Sequence, residues 1–145
     1  MNKRLWALLT ALALLLPGCG GGGGENRPEI RVGLALYKED ETFIEAITEG
    51  IHRAAAESSR EGTWRASISV ADAEGSQISQ NQQIERFLSL GYDVLCVNLV
   101  DRTNAAPIID KAMEADIPIV FFNREPVPED MEKWDRLCYV GSDAR

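Results

Sequence analysis

Arg31-Val32-Gly33-Leu34-Ala35-Leu36-Tyr37, followed by the acidic connection Lys38-Glu39-Asp40-Glu41 and then by Thr42-Phe43-Ile44, is the stretch whose reading decides the fold. Its first seven residues form a short apolar run that suits a strand covered on both faces. Beyond the connection the apolar period changes: Phe43, Ile44, Ile47, Ile51, Ala54 and Ala55 share one side of a helix that Gly62 ends. Thr42 and Glu45 have the spacing of a capping box at its start. A strand, a short loop and an amphipathic helix make the first half of a parallel βαβ unit.

The pattern repeats outward from there. Arg65 to Ala71, Tyr92 to Leu99, Ile117 to Asn123 and Leu137 to Gly141 read as further strands. Ser76 caps a second predicted helix with Ile78, Ile84, Phe87 and Leu88 facing inward and Gly91 as its stop. A third is predicted from Thr103 to Ala115, with Pro107 near its first turn and Ile108, Ile109, Ala112 and Met113 packed. Strands alternating with helices at this spacing predict an α/β lobe, a Rossmann-like parallel sheet flanked by helices and wound by right-handed crossovers.

The front of the chain differs in kind. Asn2, Lys3 and Arg4 precede an apolar run from Leu5 to Leu16, and Leu16-Pro17-Gly18-Cys19 follows. The run is shorter than the roughly 20 residues a membrane-spanning helix needs, and the layout is that of a signal peptide. Leu16 to Cys19 resembles a bacterial lipobox, with Pro17 where the pattern prefers a small residue. That resemblance implies lipid attachment at Cys19. Gly20 to Gly24 would then be a flexible tether holding the folded part at a membrane surface.

Charge narrows the partners. The formal net charge is −8, and removing residues 1–18 takes away Lys3 and Arg4 and no acid, leaving −10. Neither nucleic acid nor anionic lipid is an expected partner. Cys96 and Cys138 lie in apolar runs and are expected to be small buried hydrophobes.

Familiar reactive motifs are missing. The residues after Leu34 carry no G-x-G-x-x-G turn, and the sequence has no P-loop, no zinc-type Cys/His spacing and no G-x-S-x-G elbow. The single histidine, His52, falls mid-helix beside Arg53 and reads as a solvated side chain. No enzyme activity is expected. What stands at the strand ends is carboxylates, amides and an aromatic ring. Carboxylates and amides hydrogen-bond ring hydroxyls, and an aromatic ring stacks on the C–H face of a hexose.

Four stretches carry a resemblance: Tyr37-Lys38-Glu39-Asp40-Glu41-Thr42-Phe43, Asn98-Leu99-Val100-Asp101, Pro118 to Pro126, and Tyr139-Val140-Gly141-Ser142-Asp143. In this order and spacing they resemble the periplasmic galactose/glucose-binding proteins of bacterial ATP-binding-cassette importers. The polar run Ser79-Gln80-Asn81-Gln82-Gln83 agrees with that family's second helix. The resemblance implies the N-terminal lobe of a type 1 periplasmic binding protein. It divides the chain into a signal peptide (1–18), a tether (19–29), a sugar-binding lobe (30–123), and a hinge crossover with the start of a second, truncated lobe (124–145).

It also implies roles. Glu41 would accept a hydrogen bond from a sugar hydroxyl, at a position where the family has Asp, and the longer side chain would alter the fit. Phe43 would stack on the sugar face, Asn98 would bond a hydroxyl, Tyr37 would line the cleft, and Asp40 would act as a structural cap. The ligand would be a monosaccharide, D-galactose or D-glucose, delivered to the membrane subunits of an ABC permease. A chemoreceptor or sensor kinase is the alternative partner. The location would be extracytoplasmic, lipid-anchored to the cell membrane. No cofactor is expected in these residues; the family's calcium loop belongs to the second lobe. The effector domain of a lactose-repressor-type regulator shares the fold, but an exported N terminus and the lack of a DNA-reading helix-turn-helix argue against it.

Overall fold

The alternating apolar runs assemble as five parallel strands. The computed structural model describes residues 27–39, 41–62 and 64–142. The expected signal peptide, Cys19, Gly20 to Gly24 and Asp40 therefore lie outside the described residues. In chain order the elements are β1 (Glu29–Leu36), α1 (Thr42–Glu61), β2 (Arg65–Asp72), α2 (Gln77–Ser89), β3 (Val94–Val97), a 3-10 turn (Arg102–Asn104), α3 (Ala106–Ala115), β4 (Ile119–Phe122), α4 (Pro128–Met131) and β5 (Leu137–Val140). The sheet order is β2-β1-β3-β4-β5. Every neighbouring pair is parallel, from Glu29↔Arg65 at one edge to Phe122↔Val140 at the other.

Two apolar layers hold the sheet. On one face Ala35, Leu95, Val97, Ile119 and Phe121 pack under Ile84 and Phe87 of α2 and Ile108, Ile109 and Ala112 of α3. On the other, Leu34, Leu36 and Phe122 pack under Ile44 of α1, with Ile47, Ile51 and Ile68 partly buried around them. Gly33 has a packing reason: a Cβ there would lie 2.7 Å from the Phe87 ring.

Helix boundaries follow local chemistry. Ser76 caps α2, its hydroxyl accepting from the Ser79 N–H at 3.2 Å. Gly91, at φ 68°, carries the chain out of α2 in the left-handed region glycine tolerates. Three expectations need correction. The N-cap of α1 is Glu41 and carries no side-chain cap bond, so Thr42 is already the first helical residue and no capping box forms. The predicted third helix is a 3-10 turn followed by α3, because Asp101 binds the Thr103 N–H and hydroxyl and closes a tight turn first. Ile78, 73% exposed, and Met113, also exposed, belong to the solvent side of their helices.

The lobe also runs further than Asn123. Residues after Asn123 form α4 and return as β5 in the same sheet, parallel to β4. The segment read as a hinge contains Pro126 and Pro128, but Pro128 is the first residue of a helical turn, where its missing N–H costs nothing. Cys138, expected to be buried, is exposed on this edge strand; Cys96 is half-buried, and both thiols are free. Burial pushes the Cys96 thiol up to about 11.

Candidate functional site

The topology singles out one crevice. From β1 the chain turns outward to β2, and from β2 it crosses back past β1 to β3, so connections leave β1 and β3 in opposite directions. Parallel α/β sheets bind ligands outside the carboxyl ends of the strands at such a switch point. Here that edge is built from residues 37–39 and 41 after β1, 98–101 after β3 and 123–126 after β4.

Asn98 fastens the three strand ends together. It is fully buried. Its Oδ1 accepts from the Tyr37 N–H at 3.4 Å, and its Nδ2 donates to the Phe122 carbonyl at 3.2 Å. Its own N–H donates to the Ala35 carbonyl at 2.9 Å. A side chain so engaged presents its amide inward, between β1 and β4.

Behind it stands Gln80, also fully buried. Its Nε2 donates to the Asn98 carbonyl at 2.8 Å, and its Oε1 accepts from the Val100 N–H at 3.0 Å. One turn earlier, Gln77 Oε1 accepts from the Asp101 N–H at 3.1 Å. Two α2 amides thus take over hydrogen bonds that the β3 loop, having left the sheet, would otherwise lack.

Tyr37, Glu41 and Arg124 form the open part of the edge. The Tyr37 hydroxyl donates to Glu41 Oε1 at 2.8 Å, and the Arg124 guanidinium lies 3.9 Å from the centre of the Tyr37 ring. Arg124 Nη1 also donates to the Val100 carbonyl at 2.8 Å. The hydrogen bond to Glu41 is the first cause raising the Tyr37 phenol above its usual value, desolvation and the Glu41 charge add to it, and Arg124 and Lys38 oppose it. Asp101 shifts the other way, held below the usual carboxylate range by the Thr103 N–H and then the Thr103 hydroxyl.

Phe43 follows on the first turn of α1. Its ring is 62% exposed, so it is no part of the core despite its place in the apolar pattern. Of the four residues singled out in the sequence, hydrogen bonds join Tyr37 to both Glu41 and Asn98. Phe43 and Glu41 are open to solvent, whereas Asn98 is not. Chemically the edge offers a carboxylate acceptor, a cation and an exposed ring. Among the described residues no group of three or more His, Cys, Asp or Glu side chains could hold a metal ion.

Sequence reasoning missed Arg124 and Gln80 as parts of this site. Arg124 falls in the segment read as a hinge, and only the third dimension folds it back over Tyr37. Gln80 carried a readable signal: an amide within a polar run on a helix that must pack against a sheet.

Comparison with known proteins places this geometry in a family. The periplasmic binding protein domain matches residues 32–145. The chain belongs to the periplasmic binding protein family. Among curated members of that family, the D-galactose/methyl-galactoside binding periplasmic protein of Haemophilus influenzae is 30% identical over all 145 residues, which correspond to 41% of its own length. A solute-binding protein from Bacillus halodurans C-125, solved with bound myo-inositol, superposes with a TM-score of 0.66 at 26% identity, covering 82% of this chain and 38% of the other. A Mycobacterium smegmatis structure in complex with β-D-fucofuranose gives 0.66 at 26% identity, covering 79% and 35%. The chain thus spans about two fifths of the length of these family members.

Proposed function

We propose that this chain is the N-terminal, ligand-gripping lobe of an exported sugar-binding lipoprotein that takes up a monosaccharide, D-galactose or D-glucose, and hands it to an ABC importer. The observation that carries the reading is the exposed Phe43 ring standing two residues beyond the Glu41 carboxylate at the switch-point edge. An apolar side chain of that size left in water at a sheet's carboxyl edge calls for a ligand with an apolar face, and a sugar ring has one. Glu41 would accept from a ring hydroxyl, exchanging the Tyr37 hydroxyl for the ligand's. Asn98 would act from behind, holding the Tyr37 and Phe122 backbones in place. The relative from Haemophilus influenzae, named for galactose binding, supports that choice of sugar.

A second lobe would close over the exposed side of the ligand by hinge bending, with no bond made or broken. Cys19 would carry the lipid and residues 20–28 the tether, so that the lobe works outside the cytoplasm. Titration calorimetry of the protein extended to the length of its relatives, against galactose, glucose, ribose and xylose, tests the reading. Tight binding of galactose or glucose is the expected result; heat from ribose or xylose alone, or silence toward all four, overturns the sugar assignment.

A further inference from the structure

A second cleft, of about 280 Å³, opens between α2 and the edge strand β2. Its origin is local. Gly33 lets the Phe87 ring settle onto β1, where a Cβ would lie 2.7 Å from it, so α2 packs more closely on β1 than on β2. On this face β2 presents Ser69 and Ala71, one bonded to Tyr92 and the other packed at the border of the α2-side core, and both are too small to fill the space. Gln83, Arg86 and Leu90, spaced i, i+3 and i+7, form the helix wall. Tyr92, just past the turn at Gly91, closes one end. Leu90 and Tyr92 stand where β3 begins, at the amino end of the sheet, whereas Tyr37, Asn98 and Arg124 stand beyond the carboxyl ends of the strands. The cleft is therefore separate from the edge described above.

The walls are held in place. The Arg31 guanidinium lies 4.3 Å from the centre of the Tyr92 ring, and the Phe87 ring lies 4.8 Å from it at 57°. Arg31 also donates to the Leu90 carbonyl at 2.8 Å, which covers the negative end of α2. The polar groups still open to the cleft are donors. The Tyr92 hydroxyl donates to Ser69 Oγ at 2.7 Å, and a pair of hydroxyls so joined keeps one O–H to give. Among the described residues nothing accepts it, and Arg86 makes no side-chain hydrogen bond or ion pair, although the chain carries 23 acidic residues against 15 Lys and Arg. The neighbouring acid, Glu85, pairs with Lys111 instead. Gln83 Nε2 is committed to the Asp72 carbonyl at 2.7 Å, and its Oε1 is shut off from solvent. Around these donors the lining is apolar, and Leu90 leaves half of its surface in water.

We infer that this cleft binds a small organic anion, a carboxylate carried on a single apolar ring, independently of the sugar. The ring packs against Phe87, Leu90 and Tyr92. The carboxylate takes a forked pair of hydrogen bonds from the Arg86 guanidinium, whose planar donors match its two oxygens, and a further one from the Ser69–Tyr92 hydroxyl pair. Size sets the limit to one ring, because ligand pockets span about 300–1,000 Å³ and this one lies at the lower end. A free inorganic anion fits poorly, since it has nothing to lay on the apolar lining. A neutral ring fits poorly as well, since it would cover the Arg86 charge without pairing it.

Ligand-observed saturation-transfer NMR on the protein extended to the length of its relatives tests the inference, with benzoate as the probe and benzamide as its neutral isostere. Benzoate is expected to bind about tenfold or more tightly than benzamide, the difference that a hydrogen bond to a charged group makes. Arg86→Gln, at an exposed position of α2, leaves the melting temperature in place and brings benzoate down to the level of benzamide. Saturating galactose leaves the benzoate signal unchanged, so the result stands or falls apart from the sugar assignment. Equal affinity for benzoate and benzamide, benzoate binding that survives Arg86→Gln, displacement of benzoate by galactose, or no transfer to benzoate at all overturns the inference.

Discussion

The Arg124 guanidinium lies over the Tyr37 ring, 3.9 Å from its centre, and so joins the end of β4 to the end of β1 across β3. The same guanidinium donates to the Val100 carbonyl, which gives it a fixed position rather than a swinging one. Three loops from three strands are thereby locked in one arrangement before any ligand arrives. Such preorganisation lowers the entropy that binding must otherwise overcome.

Replacing Arg124 with Ala removes both contacts. An exposed cation–π pair contributes about 0.5–1 kcal/mol, and a hydrogen bond from a charged group about 1.5–3 kcal/mol, so a loss of about 2 kcal/mol in a urea or thermal melt is expected. A second signature is spectroscopic. Arg124 opposes the rise of the Tyr37 phenol, so the variant's Tyr37 titrates at still higher pH in a 295 nm absorbance titration. A lower Tyr37 pKa in the variant would mean that the stacking geometry is wrong.

Glu41→Gln moves Tyr37 the other way. It removes the Glu41 charge and weakens the first cause of the raised phenol pKa, because a neutral amide oxygen accepts less strongly than a carboxylate, and the titration falls back toward 10.0. The linkage has a definite sign. A phenol whose folded pKa exceeds its unfolded value contributes stability that is fully present below the unfolded pKa and is lost as pH rises through the folded one. Wild-type stability therefore declines above pH 10.0 in the part due to Tyr37, and the Glu41→Gln variant shows less of that decline. An identical alkaline stability profile in the two proteins would count against the Tyr37–Glu41 hydrogen bond.

Gln80→Leu strands two buried backbone groups, the Asn98 carbonyl and the Val100 N–H. Each orphaned group costs about 1–3 kcal/mol, so a destabilisation of at least about 2 kcal/mol is expected, with ligand affinity reduced because the β3 loop loses its support. Gln80→Glu keeps the acceptor toward Val100 but sets a carboxylate against the Asn98 carbonyl, and its stability should recover as pH falls and the acid is protonated. A pH-independent Gln80→Glu variant would show that the side chain had turned away.

The parts of this architecture that were legible in the sequence were those governed by period and by local turns. Leu34, Leu36, Ile44, Ile84 and Phe87 announced their burial through spacing alone, and Ser76 and Gly91 bracketed α2 through their own chemistry. What eluded it depended on neighbours distant along the chain. Phe43 fits the apolar stripe of α1 but is exposed on its first turn. Cys138 lies in an apolar run but on the edge strand β5, where it is exposed. The lobe boundary at Asn123 came from the resemblance of the next residues to a hinge crossover, and only strand pairing shows the return to β5. At the candidate site, Glu41, Phe43, Asn98 and Tyr37 were singled out through a resemblance, whereas the Arg124 contact had no one-dimensional trace.

Cys19→Ser tests the anchor. If Cys19 carries a lipid, the wild-type protein fractionates with membranes and the variant is released to the soluble extracytoplasmic fraction. Acyl chains account for the difference, at about 0.8 kcal/mol per buried methylene group. Membrane retention of the variant rules the lipid out.

Phe43→Ala separates ligand binding from folding. The ring is 62% exposed, so its truncation removes little buried area, and the melting temperature should move by less than the change expected for a surface substitution of about 0.5 kcal/mol. If the ring stacks on a sugar, affinity in the extended protein falls by the stacking contribution of about 0.5–1.5 kcal/mol, or roughly 2- to 13-fold in Kd. Phe43→Tyr keeps a stacking face and should keep most of the affinity, whereas Phe43→Leu keeps apolar bulk without a π-system and should not. Equal affinity in the Leu and Tyr variants would show that the site needs only hydrophobic cover at this position. Unchanged affinity in the Ala variant would remove Phe43 from the site altogether and leave its exposure to be explained by contact with another part of the protein.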